Sequence, residues 1–391
     1  MTRLDFAERE KIQGNNFLNV PNLRFVGYID EWCKYKLEEL ATIVGRIGFR
    51  GYTTNDIVAK GDGAIALSPT NIVNNKLTYD KDNTYISFYK YEESPEIKIQ
   101  QGDVIFVKTG STVGKVAYVD ALICETTLNP QVIVLKNIKC HNFLLSIILS
   151  TRNFQNEIQK ITVGGAVPTL SQTAMGNIQI SIPKTNEQEK LSKFIKLLDK
   201  RIATQNKIIE QLQSLIKGIV VSITSGKPNT NISKCLVCKS STLQENQIEK
   251  CGDYPVYGAN GVCGYTDKAD FDSPAILIVK DGSGVGNVRY VNGDYSVIGT
   301  QNILTAQNGY CLKYIFYCLK AFNFVPYKTG MAIPHIYFKD YGKAKIYCPD
   351  FEKQVKIVSQ IDLVETKIEI ETQLLNKYEE QKNFLLSNMF I

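Results

Sequence analysis

Two stretches of this chain carry the same succession of residues 166 positions apart, and that duplication limits the possible fold more than any other feature. Gly165-Ala166-Val167-Pro168, then Ile182-Pro183 and Glu187-Gln188, returns as Gly330-Met331-Ala332-Ile333-Pro334, then Tyr347-Cys348-Pro349 and Lys353-Gln354. Pro168 to Pro334 and Gln188 to Gln354 give the same offset (334 − 168 = 354 − 188 = 166), so one unit is used twice. After the first copy comes a heptad-like run with apolar residues three and four apart: Leu191, Ile195, Leu198, Ile202, then polar Gln205, then Ile209, Leu212, Ile216, Ile219 and Ile223. Adding the offset lands on Ile357, Ile361, Val364, Ile368, polar Glu371, Leu375, Tyr378, Lys382, Leu385 and Met389, nearly the same seam.

Two long helices with matching narrow stripes bury them most economically against each other, so the spacing predicts an antiparallel coiled coil. A run of about 38 residues at roughly 1.5 Å each makes a rod on the order of 57 Å long, enough to hold two globular units apart. A pair of similar heads suits an extended ligand. The plainer alternative places the stripes in the core of one ordinary helical domain, but a shared register across the offset is hard to obtain that way.

The chain has 391 residues, 44% of them hydrophobic and 10% aromatic, enough for two or three domains with real cores. The charged start Met1-Thr2-Arg3-Leu4-Asp5-Phe6-Ala7-Glu8-Arg9 has no apolar signal region, and no apolar run approaches membrane-spanning length. The expected location is therefore the cytoplasm, with no membrane partner, and ten scattered cysteines read as reduced thiols. A net charge of +6 permits a polyanionic partner without requiring one.

The expected fold class is mixed α/β (α+β), with an internal pseudo-two-fold repeat in four segments: a globular domain over 1–183, a coiled-coil helix over 184–225, a second globular domain over 226–349 and a second helix over 350–391. Pro183 and Pro349 precede the helices, and Ser225-Gly226-Lys227-Pro228 stops the first. Trp32 to Leu40 reads as an opening strand or helix; Val104-Ile105-Phe106-Val107 and Val132-Ile133-Val134-Leu135 read as buried strands. Inside the domains, Val107-Lys108-Thr109-Gly110-Ser111-Thr112-Val113-Gly114-Lys115-Val116 aligns with Val279-Lys280-Asp281-Gly282-Ser283-Gly284-Val285-Gly286-Asn287-Val288, an offset of 172 (282 − 110). Each copy is a strand, a Gly-Ser loop and a strand. Such a loop exposes N–H groups and small hydroxyls flanked by Lys108, Lys115, Lys280 and Arg289, a surface suited to phosphate oxygens or base edges. Taken singly, each loop reads more simply as a tight hairpin whose glycines supply positive φ; two copies shift the balance towards function.

These residues resemble a known family, the specificity subunit of bacterial type I restriction-modification systems, over most of the chain. The carriers are Pro21-Asn22-Leu23-Arg24-Phe25 through Glu31-Trp32 and Leu37, the Gly-x-x-x-Pro element before each long helix, the Glu187-Gln188 and Lys353-Gln354 helix starts, and Tyr254-Pro255-Val256-Tyr257-Gly258-Ala259-Asn260-Gly261-Val262-Cys263-Gly264-Tyr265. The resemblance implies two target-recognition domains, each reading one half of a split DNA site, and two helices that dock methyltransferase subunits. The first domain lacks a clear equivalent of the Tyr-Pro-Val-Tyr-Gly stretch.

The DNA-binding candidates in the first domain are Arg46, Arg50 and Tyr52, from a Gly-Arg-rich stretch that is otherwise a loop with solvated arginines, with Lys108, Thr109, Gly110, Ser111 and Lys115. In the second they are Tyr257, Asn260, Lys280, Gly282, Ser283, Asn287 and Arg289, where Asn260-Gly261 is alternatively a simple turn. Lysines and arginines would supply register and salt-dependent affinity, and loop side chains the discrimination.

No catalytic residue, cofactor or metal is expected. Gly110 to Lys115 is one residue short of a phosphate-binding loop, and Val116 stands where the magnesium-binding hydroxyl belongs. Pro349-Asp350 with Glu365-Thr366-Lys367 mimics a nuclease pattern, but Glu365 and Lys367 fall in the heptad helix and point apart. Asn129-Pro130-Gln131 lacks the second proline and the aromatic of a methyl-transfer motif. Cys235-x-x-Cys238 with lone Cys251 and Cys263 lacks a second close pair for zinc, and only His141 and His335 are present for acid/base work. The expected function is a non-catalytic subunit that binds a bipartite site in double-stranded DNA and recruits two methyltransferase subunits, and with them restriction subunits. Charged helix positions Lys190, Lys193, Lys200, Glu365, Lys367 and Glu369 would form the docking surface. The alternatives are a protein-binding scaffold with two heads and the DNA-recognition subunit of a different restriction-type system.

Overall fold

The structure is a computed structural model that describes residues 2–3, 19–79 and 82–391; the remainder of the expected first domain, residues 1, 4–18, 80 and 81, lies outside the described residues. The chain forms two compact units, Met1–Ala203 with Asn376–Ile391 and Thr204–Leu375, and both are mixed α/β.

In unit 1 a six-stranded sheet runs in the order Thr42–Gly45, Val132–Lys136, Val104–Val107, Val116–Tyr118, Lys76–Leu77, Ile72–Val73. Val104–Val107 pairs antiparallel with Val132–Lys136, placing Val104 opposite Leu135 and Phe106 opposite Ile133. Because successive side chains leave a strand on opposite faces, Val104, Phe106, Ile133 and Leu135 join one core while Ile105, Val107, Val132 and Val134 join another. Continuous apolar runs are thus what a strand covered on both faces requires, and each fully buried Val, Ile or Phe contributes roughly 1.5–3 kcal/mol. Helix α1 (Asn142–Ser150) covers one face and is followed by α2 (Arg152–Ile161), whose start is capped by Thr151 Oγ1 accepting from the Phe154 N–H. The Trp32–Leu40 stretch divides into both of its alternatives, strand Cys33–Lys36 and helix Leu37–Leu40.

In unit 2 a four-stranded sheet orders Leu236–Ser240, Gln301–Ala306, Ala275–Val279, Val288–Val291, beside a three-stranded sheet of Gly261–Thr266, Tyr254–Gly258 and Ser296–Val297. The same alternation sends Ile276 and Ile278 to one core and Ala275 and Leu277 to another. Helix α4 (Leu312–Lys320) takes the place of α1.

Two long helices, α3 (Thr185–Thr224) and α5 (Phe351–Met389), contribute to both units. In unit 1, Leu191 and Ile195 pack in the same core as Leu385, Met389 and Phe390. Lys382 Nζ lies 2.6 Å from Asp199, and the Arg201 guanidinium sits 4.5 Å from the Tyr378 ring centre. In unit 2, Ile223 shares a core with Val358 and Ile361, and Gln205 donates to both the carbonyl (3.1 Å) and the carboxylate of Glu371. Rising numbers on α3 meet falling numbers on α5 in each unit, so the helices pair antiparallel, with the repeat's polar seam positions Gln205 and Glu371 facing each other.

The repeated glutamine at each helix start has the same task twice. In unit 1, Gln188 Oε1 accepts from the His141 N–H at 2.8 Å and Nε2 donates to the Pro183 carbonyl at 2.8 Å. In unit 2, Gln354 Oε1 accepts from Cys311 N–H at 2.9 Å and Nε2 donates to Pro349 at 2.7 Å. Each amide ties the long helix to the N-terminus of the helix covering the sheet. The preceding residue differs: Glu187, 1% exposed, receives two bonds from Arg24 at 2.7 and 2.6 Å.

Candidate nucleic-acid interface

In each unit the Gly-Ser loop leaves one central strand and returns on the next. Val113 N–H donates to the Gly110 carbonyl and Gly114 N–H to Val107; Val285 N–H donates to Gly282 and Gly286 N–H to Val279, all between 2.9 and 3.1 Å. Gly110 and Gly114 have φ of +104° and +96°, Gly282 and Gly286 +93° and +91°, so the turn itself demands glycine at these positions. The tight-hairpin reading is therefore correct for the backbone, and it leaves Ser111, Lys115, Ser283 and Asn287 exposed.

The structure joins this loop to the other repeated element, the Gly-x-x-x-Pro segment. In unit 1, Gly110 N–H donates to the Pro168 carbonyl at 2.9 Å and Leu170 N–H to the Lys108 carbonyl at 2.8 Å. In unit 2, Gly282 N–H donates to Pro334 at 3.0 Å and Ile336 N–H to Lys280 at 2.9 Å. The segment is itself a small hairpin, closed by reciprocal bonds between Val163 and Thr169 (3.0 and 2.7 Å) and between Thr329 and His335 (2.9 and 2.7 Å). Residues 58 and 52 positions apart (168 − 110 and 334 − 282) thus form one two-loop module, present twice. Where Thr109 faces Thr169 in unit 1, Asp281 faces His335 in unit 2, and the His335 ring nitrogen lies 2.7 Å from the carboxylate.

Lys108, Thr109 and Gly110 form the half-exposed arm of this module in unit 1, and Lys115 Nζ reaches the Ile72 carbonyl at 3.4 Å. The Gly114 carbonyl accepts from Gln155, whose amide also donates to Leu149, at 2.8 and 2.6 Å. In unit 2, Lys280 and Gly282 occupy the same places, half-exposed. Arg289 stacks 5.9 Å from the Tyr257 ring centre, beside Gly261, where a Cβ would meet the guanidinium. Ala259 and Asn260 form the two-residue turn between paired Gly258 and Gly261, so the turn reading of Asn260 holds and its side chain is exposed. Asn287, Arg289, Gln301 and Lys320 line a cleft of about 350 Å³ behind this turn.

Arg46 is corrected. It is 5% exposed, and its guanidinium donates to the Leu128 carbonyl (2.8 Å), to Thr127 Oγ1 (3.2 Å) and to the Arg50 carbonyl (3.2 Å). A guanidinium buried and bonded through all three of its nitrogens braces the loop from below and is turned away from a ligand at the surface. Burial lowers its pKa and raises that of Tyr52, whose ring lies 5.4 Å away. Arg50 stands 3.5 Å from Glu96. Among the helix positions, Glu365 accepts from Lys313 (3.0 Å) and Tyr317 (2.8 Å), Lys367 pairs with Glu371, and Lys190 rests on the Phe25 and Tyr28 rings. Burial, then the Glu365 carboxylate, push the Tyr317 phenol well above its usual range. The buried Cys235 thiol lies 3.7 Å from that of Cys348. Sequence reasoning missed Gln155, Gln301 and Lys320, which carry no local signal, and the contact between the two repeated loops, for which the repeat was a signal without a geometry.

The chain is thus a duplicated mixed α/β protein, each copy carrying a glycine-rich module with flanking lysines and pairing segments of two long antiparallel helices. Residues 29–214 and 235–380 match the type I restriction modification DNA specificity domain, and the chain belongs to that family. It is 26% identical over 113 residues to the type I restriction enzyme EcoprrI specificity subunit of Escherichia coli, covering 29% of this chain and 28% of that relative. Over 138 residues it is 24% identical to the MjaVIII specificity subunit of Methanocaldococcus jannaschii, covering 34% and 32%. The matched stretches thus span about a third or less of these relatives. The type I restriction-modification S subunit from M. genitalium superimposes with a TM-score of 0.57 at 16% identity, over 95% of this chain and 99% of that one. A chain from work on complex assembly and conformational transition of the type I R-M system superimposes with 0.56 at 13% identity, over 92% and 97%. At such identities these two likenesses bear on the fold. No helix among the described residues is long and apolar enough to cross a membrane.

Proposed function

We propose that the chain is a specificity subunit that reads a split site in double-stranded DNA, one half through a recognition domain over 1–183 and the other through a domain over 226–349. It has no catalysis of its own. It acts in the cytoplasm by recruiting two methyltransferase subunits along the two long helices and, with them, restriction subunits.

The observation that carries this reading is the duplicated two-loop module, with equivalent backbone hydrogen bonds in both units and flanking lysines, in a member of a DNA specificity family. Lys108, Lys115 and Lys280 neutralise phosphates and set register, while Ser111, Ser283, Asn287 and Arg289 face base edges. Thr109, Gly110 and Gly282 hold the loop close to the backbone of the duplex. Tyr257 orients Arg289, and Asn260 extends the second surface. Tyr52 and Arg50 complete the first, braced by Arg46. The modules share a frame but not side chains, Lys115 standing where Asn287 does in the second copy. The two half-sites should therefore differ in sequence, giving an asymmetric target.

The test is methylation mapping: the full chain is expressed with its neighbouring methyltransferase, and genomic base modification is compared with and without it. A motif of two defined parts around an unspecified gap supports the reading. A co-purifying, active methyltransferase that marks no new motif refutes it and favours a protein scaffold.

A further inference from the structure

Resting on that DNA-reading role, we infer that the tips of the two Gly-x-x-x-Pro hairpins, Ala166-Val167 in unit 1 and Met331-Ala332-Ile333 in unit 2, enter a groove of the duplex and lay apolar side chains against base edges. Met331 is fully exposed, Val167 is 59% exposed and Ile333 58%. One exposed apolar side chain is ordinary. Here two tip positions, Ala166/Ala332 and Val167/Ile333, are apolar and exposed in both units, with Met331 standing where Gly165 does, on a turn that is pinned rather than loose. Gly164 and Gly330 have φ of +99° and +87°, and a Cβ on either would strike the carbonyl of Val167 or Ile333. The next residues, Pro168 and Pro334, accept the bonds from Gly110 and Gly282 described above. The tips are therefore held in a set geometry beside the loops that carry Lys108 and Lys280.

The chemistry of the surroundings selects the occupant. Neither 162–170 nor 328–336 contains an acidic residue, and the Asp281 carboxylate beside the second hairpin is engaged by the His335 ring at 2.7 Å, so the tips themselves present no negative charge to a polyanion. Small apolar side chains on a rigid projection suit thymine methyl groups and the spaces between base steps, where polar tips would compete for hydrogen bonds. The two tips differ in bulk on one backbone frame, Gly-Ala-Val against Met-Ala-Ile. Each would favour different base edges, so the tips discriminate sequence where the neighbouring lysines only position.

The experiment uses the full chain co-expressed with its methyltransferase, comparing wild type with Met331→Ser/Ile333→Ser. Methylation of duplexes carrying each half-site, with its point variants, is measured alongside thermal melting and co-purification. The expected result is roughly tenfold weaker discrimination at one or two base pairs of the second half-site only, with melting and complex formation unchanged. A second measurement replaces Met331 with a photoreactive benzophenone amino acid, which should crosslink to duplex DNA; it also decides the matter should the double variant fail to fold. An unaltered motif, or no DNA crosslink, overturns the inference while a split wild-type motif leaves the DNA reading standing. Loss of the methyltransferase from the variant complex also overturns it, by making the tip a protein contact. If the wild type marks no split motif, both readings fall.

Discussion

Gln354→Met replaces an amide by a thioether of similar length and removes two bonds, from Cys311 N–H at 2.9 Å and to Pro349 at 2.7 Å. Gln354 is 1% exposed, so water does not readily replace the lost partners, and the Cys311 N–H and Pro349 carbonyl are left without the amide. At about 1–3 kcal/mol for each unsatisfied buried group, softened by the apolar contacts of the new side chain, the expected loss is roughly 2–4 kcal/mol. Gln188→Met in unit 1, at 8% exposure with bonds of 2.8 and 2.8 Å, should cost a similar amount. The two glutamines share no bonding partner, so the double variant should be additive within about 0.5 kcal/mol. Urea titration followed by circular dichroism measures the stabilities, and amide exchange assigns them to a place. Protection at Cys311 should fall by at least tenfold in Gln354→Met and stay unchanged in Gln188→Met, with the reverse at His141. A loss under about 0.5 kcal/mol, or equal exchange at both amides in both variants, would refute the claim that the repeated glutamine ties each long helix to the helix covering its sheet.

Lys280→Ala should weaken DNA binding for all sequences alike and reduce the slope of log affinity against log salt by about 0.9, as expected for one lost phosphate contact; a change confined to one sequence would show a base contact instead. Arg289→Ala should lower discrimination at the second half-site by about 1–3 kcal/mol and leave the first intact, read by methylation of paired duplex variants. Arg46→Ala should destabilise unit 1 by roughly 3 kcal/mol through three lost donors without changing which bases are read, so retained stability with altered specificity counts against its bracing role. The Glu371 carboxylate is held below its ordinary pKa by Lys367 first and by Gln205 next. A depressed folded-state value means a contribution present above the unfolded value near 4.5 and lost as pH falls through the folded one. Glu371→Gln should therefore show a shallower fall of urea midpoint below that pH than the wild type, and identical acid limbs would contradict the pairing.

The long helices were legible because their signal is local and periodic. Apolar spacing of three and four, prolines before each start and a Ser-Gly-Lys-Pro stop need no tertiary knowledge, and the repeat even aligned Gln205 with Glu371, which meet across the seam. It did not show that Lys382, standing where Ile216 does in the first copy, finds Asp199, because a charge on a seam reads as a defect until its partner is placed. Continuous apolar runs such as Val104–Val107 announced buried strands for the same local reason, a strand with both faces covered. A coarse family resemblance was legible too, through order and duplication rather than any single motif.

The direction of a side chain on an irregular segment was not legible. Arg46 and Arg50 look alike in a Gly-Arg-rich stretch, yet Arg46 turns inward because Leu128 and Thr127, more than eighty residues away, offer it acceptors. The meeting of the Gly-Ser loop with the Gly-x-x-x-Pro hairpin likewise depends on how the intervening strands and helices pack. The sequence by itself determined the repeat, the paired helices and the buried strands, because periodicity and turn chemistry act within a few residues. Only the tertiary structure decided which loops meet and which arginine turns inward, because those contacts join residues tens of positions apart, and the packing that closes such distances leaves no trace in local spacing.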